Sequence, residues 1–404
     1  MKIFIHNYEY PPLGGGAGNA TEYLLREYAM FSDMEVVLVT SSIDAEHSVE
    51  YPAPNIRIER LPIGKKDGAR DLHFQSKLNL LRYAWNSWVF SRALLRREKF
   101  DLIHAFFSVP SGFVAGLLQR EFHIPYIVSL RGSDVPGYSE RFKYIYAPLR
   151  PISRWIWRGA SGVIANSEGL RTLALMTDSV RDIGIVRNGV DTKEFFSVPR
   201  EYSGDLDQPF RILAIARLTP RKGIRSLLEA MVILKEKSSR IFSLDIVGDG
   251  NERESLEEYA SEKGLMEQVR FVGRVPHAGT IPLYHRAHVY VLPSLNEGMS
   301  NNVLEALATG LPIITTDTGG TRELVGDNEN GLIIRMKDPQ HIAEKILWLS
   351  EHPQKAAAFG LESRRRAERL GWDEVAKAYR SLYQRAIGQE SGCGSGLRVD
   401  RVSS

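Results

Sequence analysis

The chain has 404 residues, of which 43% are hydrophobic and 25% are charged, the composition of an ordinary globular protein and not of a disordered or fibrous one. This length predicts two domains, and a formal net charge of +3 gives no indication of nucleic-acid binding. The single cysteine, Cys393, excludes an intrachain disulfide and argues against a structural zinc site. Because Lys2–His6 has the pattern of a strand and no apolar run reaches the ~18 residues of a membrane span, we expect a cytoplasmic protein.

Short apolar runs alternate with helical stretches along the whole chain, about six in each half. This alternation is typical of parallel sheets covered by helices on both faces, so the predicted fold class is α/β, with two doubly wound Rossmann-like domains facing a cleft. The polar stretch 198–209 is the predicted linker, and the Gly/Ser-rich stretch 388–404 is predicted to be disordered. The predicted strands are Lys2–His6, Val36–Thr40, Leu102–Phe106, Tyr126–Leu130, Gly162–Ala165, Ile183–Val186, Arg211–Ala216, Phe242–Val247, Val269–Val272, Val289–Leu292, Ile313–Thr316 and Gly331–Ile334.

A glycine-rich turn, Gly14-Gly-Gly-Ala-Gly18, joins the first predicted strand to a helical stretch. Glycines at such a junction let backbone amides approach a phosphate closely, which makes Gly15 and Gly16 candidate phosphate ligands. The spacing matches neither the dinucleotide fingerprint nor a P-loop. A tight turn without ligand contact therefore remains an equal alternative.

Three polar residues in the first half follow predicted strands and are candidates for contact with a second substrate. His104 lies at the end of one strand, and Arg131 and Asp134 follow the next. Asp134 has an alternative local role, because an Asp in a turn commonly accepts hydrogen bonds from nearby backbone amides.

Two basic, aromatic-rich stretches, 74–100 and 138–158, have two interpretations. Such a composition suits a helix at the surface of an anionic membrane. It equally suits a helix that packs on the core and keeps a solvated basic face. The sequence leaves both open, and with them a peripheral location at the inner face of the membrane.

In the second half, Arg217 and Lys222 lie on a tight turn between a predicted strand and a helix. Cations at the carboxyl end of a parallel strand point to the place where such folds bind ligands, so we interpret both as an anion clamp. We expect Arg221, between them, to be a solvated charge. The turn Gly248-Asp-Gly250 is either a simple connection or a second ligand contact.

Two glutamates surround the start of a predicted helix that ends at Gly310. Glu297 lies on the loop that follows the predicted strand Val289–Leu292, and Glu305 lies within the helix. The helix N-terminus suits a phosphate, and carboxylates beside it suit the hydroxyls of a sugar or ribose attached to that phosphate. The pair His285 and His288 lacks a third ligand type nearby, so no metal site is predicted.

Taken together, these motifs resemble the retaining glycosyltransferases of family 4, which have the GT-B fold. The resemblance extends from Met1 to about Ile387. It implies an acceptor-binding domain over 1–197, a donor-binding domain over 198–370 and a helix over 371–387 that returns to the first domain. The matching motifs are Gly14-Gly-Gly16, Asn188-Gly-Val-Asp191, Arg217 with Lys222-Gly223, Asn296-Glu-Gly-x5-Leu-Glu-Ala-Leu-Ala-x-Gly-x-Pro312, and Thr318-Gly-Gly-Thr-Arg-Glu-Leu-Val325.

The resemblance also implies a role for each matching position. Arg217, Lys222 and Glu297 would be catalytic, Glu305 would hold the ribose hydroxyls, and no metal or cofactor is expected. One departure is Arg131, which stands where the family often has a histidine, so that histidine's role does not transfer. The implied donor-binding residues are Gly15, Gly16, Arg217, Lys222, Arg274, Val275, Glu297, Gly298, Met299, Asn302, Val303 and Glu305.

The implied activity is transfer of a sugar, with retention of configuration, from a nucleotide-diphosphate sugar to a hydroxyl acceptor. UDP is the favoured nucleotide of the donor. The acceptor class considered is a lipid-linked sugar or a polysaccharide precursor. The alternatives are a nucleotide-sugar epimerase of the same fold and a non-catalytic nucleotide-sugar binding module. A dehydrogenase is disfavoured because the glycine spacing is wrong.

Overall fold

The computed structural model describes residues 1–64, 76–138, 143–202 and 208–388. The chain forms two compact units, Met1–Asn188 together with the chain from Trp372 onward, and Gly189–Gly371. The change of unit thus lies before the boundary expected at residues 197 and 198. Val190 and Phe195 are buried in the second core, which explains the earlier division. The expected disordered tail spans 388–404; Gly388 is the last residue of the helix Trp372–Gly388, and 389–404 lie outside the described residues.

The first unit is built on a sheet that, in its described residues, has eight strands in the order β3-β4-β2-β1-β5-β6-β7-β8. Helices precede and follow the parallel strands, as in a doubly wound domain. The strands are β1 Lys2–His6, β2 Glu35–Ser42, β3 Ser48–Ala53, β4 Ile56–Pro62, β5 Leu102–Phe106, β6 Tyr126–Ser129, β7 Gly162–Ala165 and β8 Gly184–Ile185, and the helices are α1 Gly16–Tyr28, α2 Lys77–Leu95, α3 Phe113–Phe122, α4 Lys143–Gly159 and α5 Glu168–Leu175.

The second unit has, over the residues described there, a six-stranded parallel sheet in the order β11-β10-β9-β12-β13-β14. The last helix, α13 Trp372–Gly388, leaves this unit and packs on α1 of the first. The elements of the second unit are β9 Phe210–Ile215, α6 Ile224–Lys237, β10 Phe242–Val247, α7 Arg253–Glu262, β11 Val269–Gly273, α8 Ile281–Arg286, β12 Val289–Leu292, α9 Asn301–Ala308, β13 Ile313–Thr316, α10 Thr321–Leu324, β14 Gly331–Ile334, α11 Pro339–Glu351 and α12 Pro353–Ala367.

The predicted fold class is confirmed, and each predicted strand overlaps a strand of the structure. Two strands were not predicted. In β4, buried Ile56 and Ile58 alternate with Arg57 and Glu59, so this strand lacks the continuous apolar run that predicts a strand buried on both faces. The edge strand β3 is largely exposed, contains a proline and pairs antiparallel with β4, so it offers no apolar signal.

Helix α13 is fixed to the first unit by aromatic contacts. The Trp372 ring stacks on Tyr23 with centroids 5.5 Å apart. The hydroxyls of Tyr383 and Tyr28 are 2.8 Å apart in the buried interior. The buried residues of α13 belong to the first hydrophobic core, so the helix completes that core rather than extending the second.

The strand order of the second unit defines where a ligand would be expected. Strand β9 is central, β10 and β11 extend the sheet on one side, and β12 to β14 extend it on the other. From β9 the chain first adds β10 and β11 on one side of the sheet and then crosses over to add β12 on the other side. The boundary between β9 and β12 is therefore the topological switch point of this sheet. In open α/β sheets, ligands bind outside the carboxyl ends of the strands at that point.

Candidate active site

The turn after β9 presents the two predicted cations at the carboxyl edge of the sheet. Pro220–Lys222 forms one turn of 3₁₀ helix that ends at Gly223. A side chain at Gly223 is excluded because its φ is +67° and a Cβ there would lie 2.1 Å from the Pro293 carbonyl oxygen. The Leu295 amide also donates to the Arg221 carbonyl, at 2.7 Å. The turn after β9 is therefore held directly against the loop after β12.

This close approach brings Lys222 and Glu297 together as an ion pair. Each side chain is only 12% exposed. The Ser294 hydroxyl donates a second hydrogen bond to Glu297, at 2.9 Å. The two residues lie on turns that follow neighbouring strands, β9 and β12. The pair therefore sits at the switch point of the sheet.

Glu297 is ionised at neutral pH. Burial opposes its ionisation, but the charge of Lys222, the charge of Arg221 and the hydrogen bonds from Lys222 and Ser294 together hold its pKa below the ordinary value. Arg221 was expected to be a solvated charge. Its influence on Glu297 shows that it also contributes positive potential to this site.

Arg217 lies on the same turn as Lys222, and its side chain is exposed. It forms no ion pair with any residue in the described ranges. The Gly248-Asp-Gly250 turn is hydrogen-bonded to the backbone next to Arg217, because the Leu218 amide donates to the Asp249 carbonyl at 2.9 Å. The local role of this glycine turn is thus to stabilise the backbone of the turn that carries Arg217.

The loop that carries Glu297 is also fixed from the β13 side. The Gly320 amide donates to the Gly298 carbonyl at 2.6 Å. A Cβ on Gly319 would lie 2.0 Å from the Glu297 carbonyl oxygen, so only glycine permits this approach. The segment Thr318–Val325, which was singled out only by resemblance, therefore positions the backbone around Glu297.

Glu305 is the second buried carboxylate of this region, on α9. Its oxygens are hydrogen-bonded to the Tyr284 hydroxyl and to His277 Nε2, each at 2.9 Å. Burial raises the pKa of Tyr284 well above its ordinary value, so its hydroxyl stays protonated and donates. Sequence reasoning missed both Tyr284 and His277. Neither stands in a motif: Tyr284 lies on α8 and His277 in the 3₁₀ segment before it, and only the tertiary structure brings them to Glu305.

The other predicted donor-binding residues of this unit lie in two places, on α9 with the loop before it and in the segment after β11. Asn302 directs its side-chain amide to the Ile215 carbonyl at 2.6 Å, which ties α9 to the end of β9. Val303 and Met299 are buried in the core. Arg274 and Val275 follow β11, the first exposed and the second partly buried. Any ligand contact by Val303 and Met299 would therefore come from their backbone.

Gly15 and Gly16 lie in the first unit, at the start of α1. The Gly15 amide, which was predicted to contact phosphate, donates to Glu9 Oε2 at 3.1 Å. The loop after β1 is thus stabilised by a carboxylate from within the same loop.

His104, predicted to contact an acceptor, is completely buried. Its Nδ1 is hydrogen-bonded to the Tyr383 hydroxyl and its Nε2 to Ser129 Oγ, each at 2.8 Å. Burial, followed by the charge of Arg131, lowers the pKa of His104 well below its ordinary value, so the ring is neutral. The structure gives this residue a role in attaching α13 to the sheet, with no ring atom exposed to an acceptor.

Asp134 and Arg131 form the turn after β6. The Asp134 carboxylate accepts hydrogen bonds from the backbone amides of Ser108, Arg131 and Gly132, at 2.8 to 3.0 Å. This is the local role that the sequence left as the alternative. The Arg131 guanidinium lies 4.5 Å from the Phe106 ring centroid and donates to Asn188 Oδ1 at 2.7 Å.

Within the described ranges, no group of three or more His, Cys, Asp or Glu residues is placed to hold a metal ion. His285 Nε2 is hydrogen-bonded to the Phe196 carbonyl, and His288 Nδ1 accepts from the Arg211 amide. The two histidines thus have separate structural partners.

Among the described helices, none is long and apolar enough to cross a membrane.

Two family descriptions match the chain. "Glycosyl transferase 4-like domain" matches residues 15–189, and "Glycosyl transferases group 1" matches residues 200–366. Together these ranges account for most of both units. The chain belongs to the glycosyltransferases that these two descriptions define.

The relatives of this glycosyltransferase agree with that membership over nearly its full length. An uncharacterized glycosyltransferase, MJ1178 of Methanocaldococcus jannaschii, is 24% identical and covers 95% of this chain and 98% of its own. A sucrose-phosphate synthase from Thermosynechococcus elongatus superposes with a TM-score of 0.82 at 23% identity, over 96% of this chain and 99% of its own. Anabaena HepE in complex with UDP-glucose gives a TM-score of 0.73 at 18% identity, over 95% and 100%.

Proposed function

We propose that this glycosyltransferase moves a sugar from a nucleotide-diphosphate sugar, with UDP favoured, to a hydroxyl acceptor with retention of configuration. The observation that carries the proposal is the buried Lys222–Glu297 ion pair at the switch point between β9 and β12, on the turn that also carries Arg217. A fixed pair of opposite charges next to a further cation suits a ligand with a diphosphate at one end and hydroxyls at the other.

The assignment of Arg217 and Lys222 follows from where charge develops in the reaction. Breaking the bond between the sugar and the diphosphate places negative charge on the leaving group and positive character on the anomeric carbon. Cations fixed in advance beside the leaving group lower this barrier without reorganising during the reaction. The Glu297 pairing and the tight turn at Gly223 supply such fixation for Lys222. Arg217 and Lys222 are therefore proposed to stabilise the leaving diphosphate.

Glu297 and Glu305 are proposed to hold hydroxyls of the donor. An ionised carboxylate has about four acceptor positions, so Glu305 can bind ribose hydroxyls while keeping its hydrogen bonds to Tyr284 and His277. Those two bonds fix the orientation of the carboxylate in advance. Glu297, ionised and fixed by Lys222 and Ser294, is proposed to lie against the transferred sugar.

Retention is proposed because it is the outcome implied by the resemblance to the retaining glycosyltransferases of family 4. The leaving phosphate oxygen would then accept the proton of the acceptor hydroxyl while the new bond forms on the same face. UDP is favoured because Anabaena HepE, a structural relative, was solved with UDP-glucose. No metal is included in the proposal, because Arg217 and Lys222 can supply the positive charge.

Two measurements test the proposal. Thermal-shift screening against UDP-, GDP- and ADP-sugars should show stabilisation by one class, since a ligand that binds only the folded state raises the melting temperature. NMR of the product should then show the anomeric configuration of the donor. An inverted product would overturn retention. Release of free nucleotide without any acceptor would favour an epimerase, and donor binding without turnover would favour a binding module.

A further inference from the structure

Helix α2 of the first unit has a buried face and, opposite it, an exposed apolar face. One face packs inward through buried Tyr83, Ser87, Ser91 and Leu95. The opposite face carries Leu78, Leu81, Trp85 and Val89, which are all exposed, with Leu81 at 68% and Trp85 at 64%. These four residues are three or four positions apart and therefore form one stripe along the helix. We call this set the α2 stripe.

The α2 stripe is not part of the hydrophobic core. The α2 residues that pack on the core from partly buried positions are a different set, which includes Leu80, Ala84 and Trp88. Four adjacent large apolar side chains in water are costly, and such a patch usually marks an interaction surface. Over three turns the stripe extends for ~16 Å, the length of a helix segment that lies flat on a surface.

The charge around the α2 stripe identifies the partner. Residues 76–97 contain five basic residues and no acidic one. Lys77 and Arg82 are exposed at the two sides of the stripe, and Arg92 and Arg96 continue the same helix face beyond Val89. Glu121 of α3 pairs with Arg92 at 2.6 Å and lies 3.5 Å from Arg96, so it offsets part of this charge.

The indole rings have the arrangement expected at a membrane interface. Trp85 and Trp88 are in contact, with centroids 5.4 Å apart, and the Arg92 guanidinium lies 4.8 Å from the Trp88 ring centroid. Indole and guanidinium groups are both favoured at the level of lipid headgroups.

We propose that the α2 stripe docks this protein on an anionic membrane surface, with α2 parallel to the surface, its apolar residues inserted and its basic residues at the headgroups. A helix that is apolar on one face and basic at its margins binds in this way. A second copy of the chain fits less well, because the basic residues of two identical faces would repel one another. The inference does not depend on the proposed transfer reaction.

The experiment measures partition of the full chain into vesicles. Binding to vesicles of phosphatidylglycerol and phosphatidylcholine should exceed binding to phosphatidylcholine alone and should weaken as salt is raised. The double variant Leu81→Ser, Trp85→Ser should lower the partition coefficient by at least about ten-fold, because both side chains lose apolar contact with the membrane. The matched control Met30→Ser, Val180→Ser changes two other exposed apolar residues of the same unit and should bind as the wild type does.

A charge variant and a spectroscopic signal separate this proposal from its rivals. Lys77→Gln with Arg82→Gln should weaken binding by roughly five-fold per charge and reduce its salt dependence, whereas Arg26→Gln with Arg171→Gln should not. Lipids brominated in the acyl chains should quench tryptophan fluorescence, and Trp85→Phe should remove most of that quenching. Absence of binding to anionic vesicles at low salt, or equal binding by the Leu81→Ser, Trp85→Ser variant, would overturn the proposal. A dimer in light scattering that this variant dissociates would instead assign the stripe to self-association and would also overturn it.

Discussion

The carboxyl ends of the strands are used differently in the two units. In the second unit, Lys222 and Glu297 form a largely buried pair, and Arg217, on the same turn as Lys222, is exposed. In the first unit, His104 lies within β5 and not after its end, Asp134 follows β6, and the polar atoms of both bond to the protein itself. A position at the carboxyl edge therefore does not make a residue functional. A side chain there must also keep atoms with which a ligand can bond.

The largest expected effect concerns the second unit. Lys222→Ala and Arg217→Ala should each lower kcat by roughly 10²–10³, the usual result of removing one group that stabilises charge in a transition state. The measurement is donor turnover at saturating substrate. Arg225→Ala, which removes an exposed cation paired with Glu229 on α6, is the matched control and should leave kcat unchanged. Near-wild-type turnover of both site variants would remove these residues from the chemistry.

The next effect concerns the first unit and should appear in stability. Asp134→Ala deprives three backbone amides of their acceptor and should lower the free energy of unfolding by about 2–3 kcal/mol, on the scale of a buried donor left unsatisfied. Urea denaturation measures it, and Asp182→Ala is a control on the same unit. An Asp134→Ala protein of unchanged stability that no longer transfers sugar would break the comparison, since it would place a functional group in the first unit's loop.

Glu305→Ala should weaken donor binding more than it slows turnover. Loss of a carboxylate that accepts from ligand hydroxyls should raise the Kd for the nucleotide by roughly ten-fold or more, given about 1.5–3 kcal/mol for a hydrogen bond to a charged group. Titration with nucleotide by calorimetry gives this value. Tyr284→Phe should cause a smaller loss, because it removes only the bond that orients the carboxylate. Equal binding by Glu305→Ala and wild type would exclude the ribose role.

The smallest expected effect is a pH dependence of stability caused by His104. Its pKa is lowered in the folded state, so the unfolded chain binds the proton first and stability falls as pH drops below the unfolded value of ~6.5. Between pH 6.5 and 5.5 this should cost about 1 kcal/mol. His104→Gln keeps a polar side chain that does not titrate, and it should flatten the slope of unfolding free energy over this range. An unchanged slope would show that His104 is not the group responsible.

Sequence reasoning was most successful where a local pattern is sufficient. The continuous apolar strands β1, β5, β12 and β13 were predicted because full burial on both faces leaves an unbroken apolar run. Strand β4 was missed because it is buried on alternating residues and includes a charged residue, Glu59, that is buried beside His47 and Arg57. A partner that is distant in the sequence makes such a burial possible, and no local pattern reports it.

The sequence by itself determined the α/β class, the family and the residue types proposed to hold a phosphate and hydroxyls, because turn glycines, strand ends and charged residues at fixed spacing are local features. Tertiary structure decided which of those residues keep atoms for a ligand. Lys222 is joined to Glu297, while His104 is enclosed by Ser129 and Tyr383. It also brought His277 and Tyr284 to Glu305 and left the side chains of the α2 stripe exposed among the described residues. The physical reason is that hydrogen-bond satisfaction and burial depend on neighbours that are far apart along the chain.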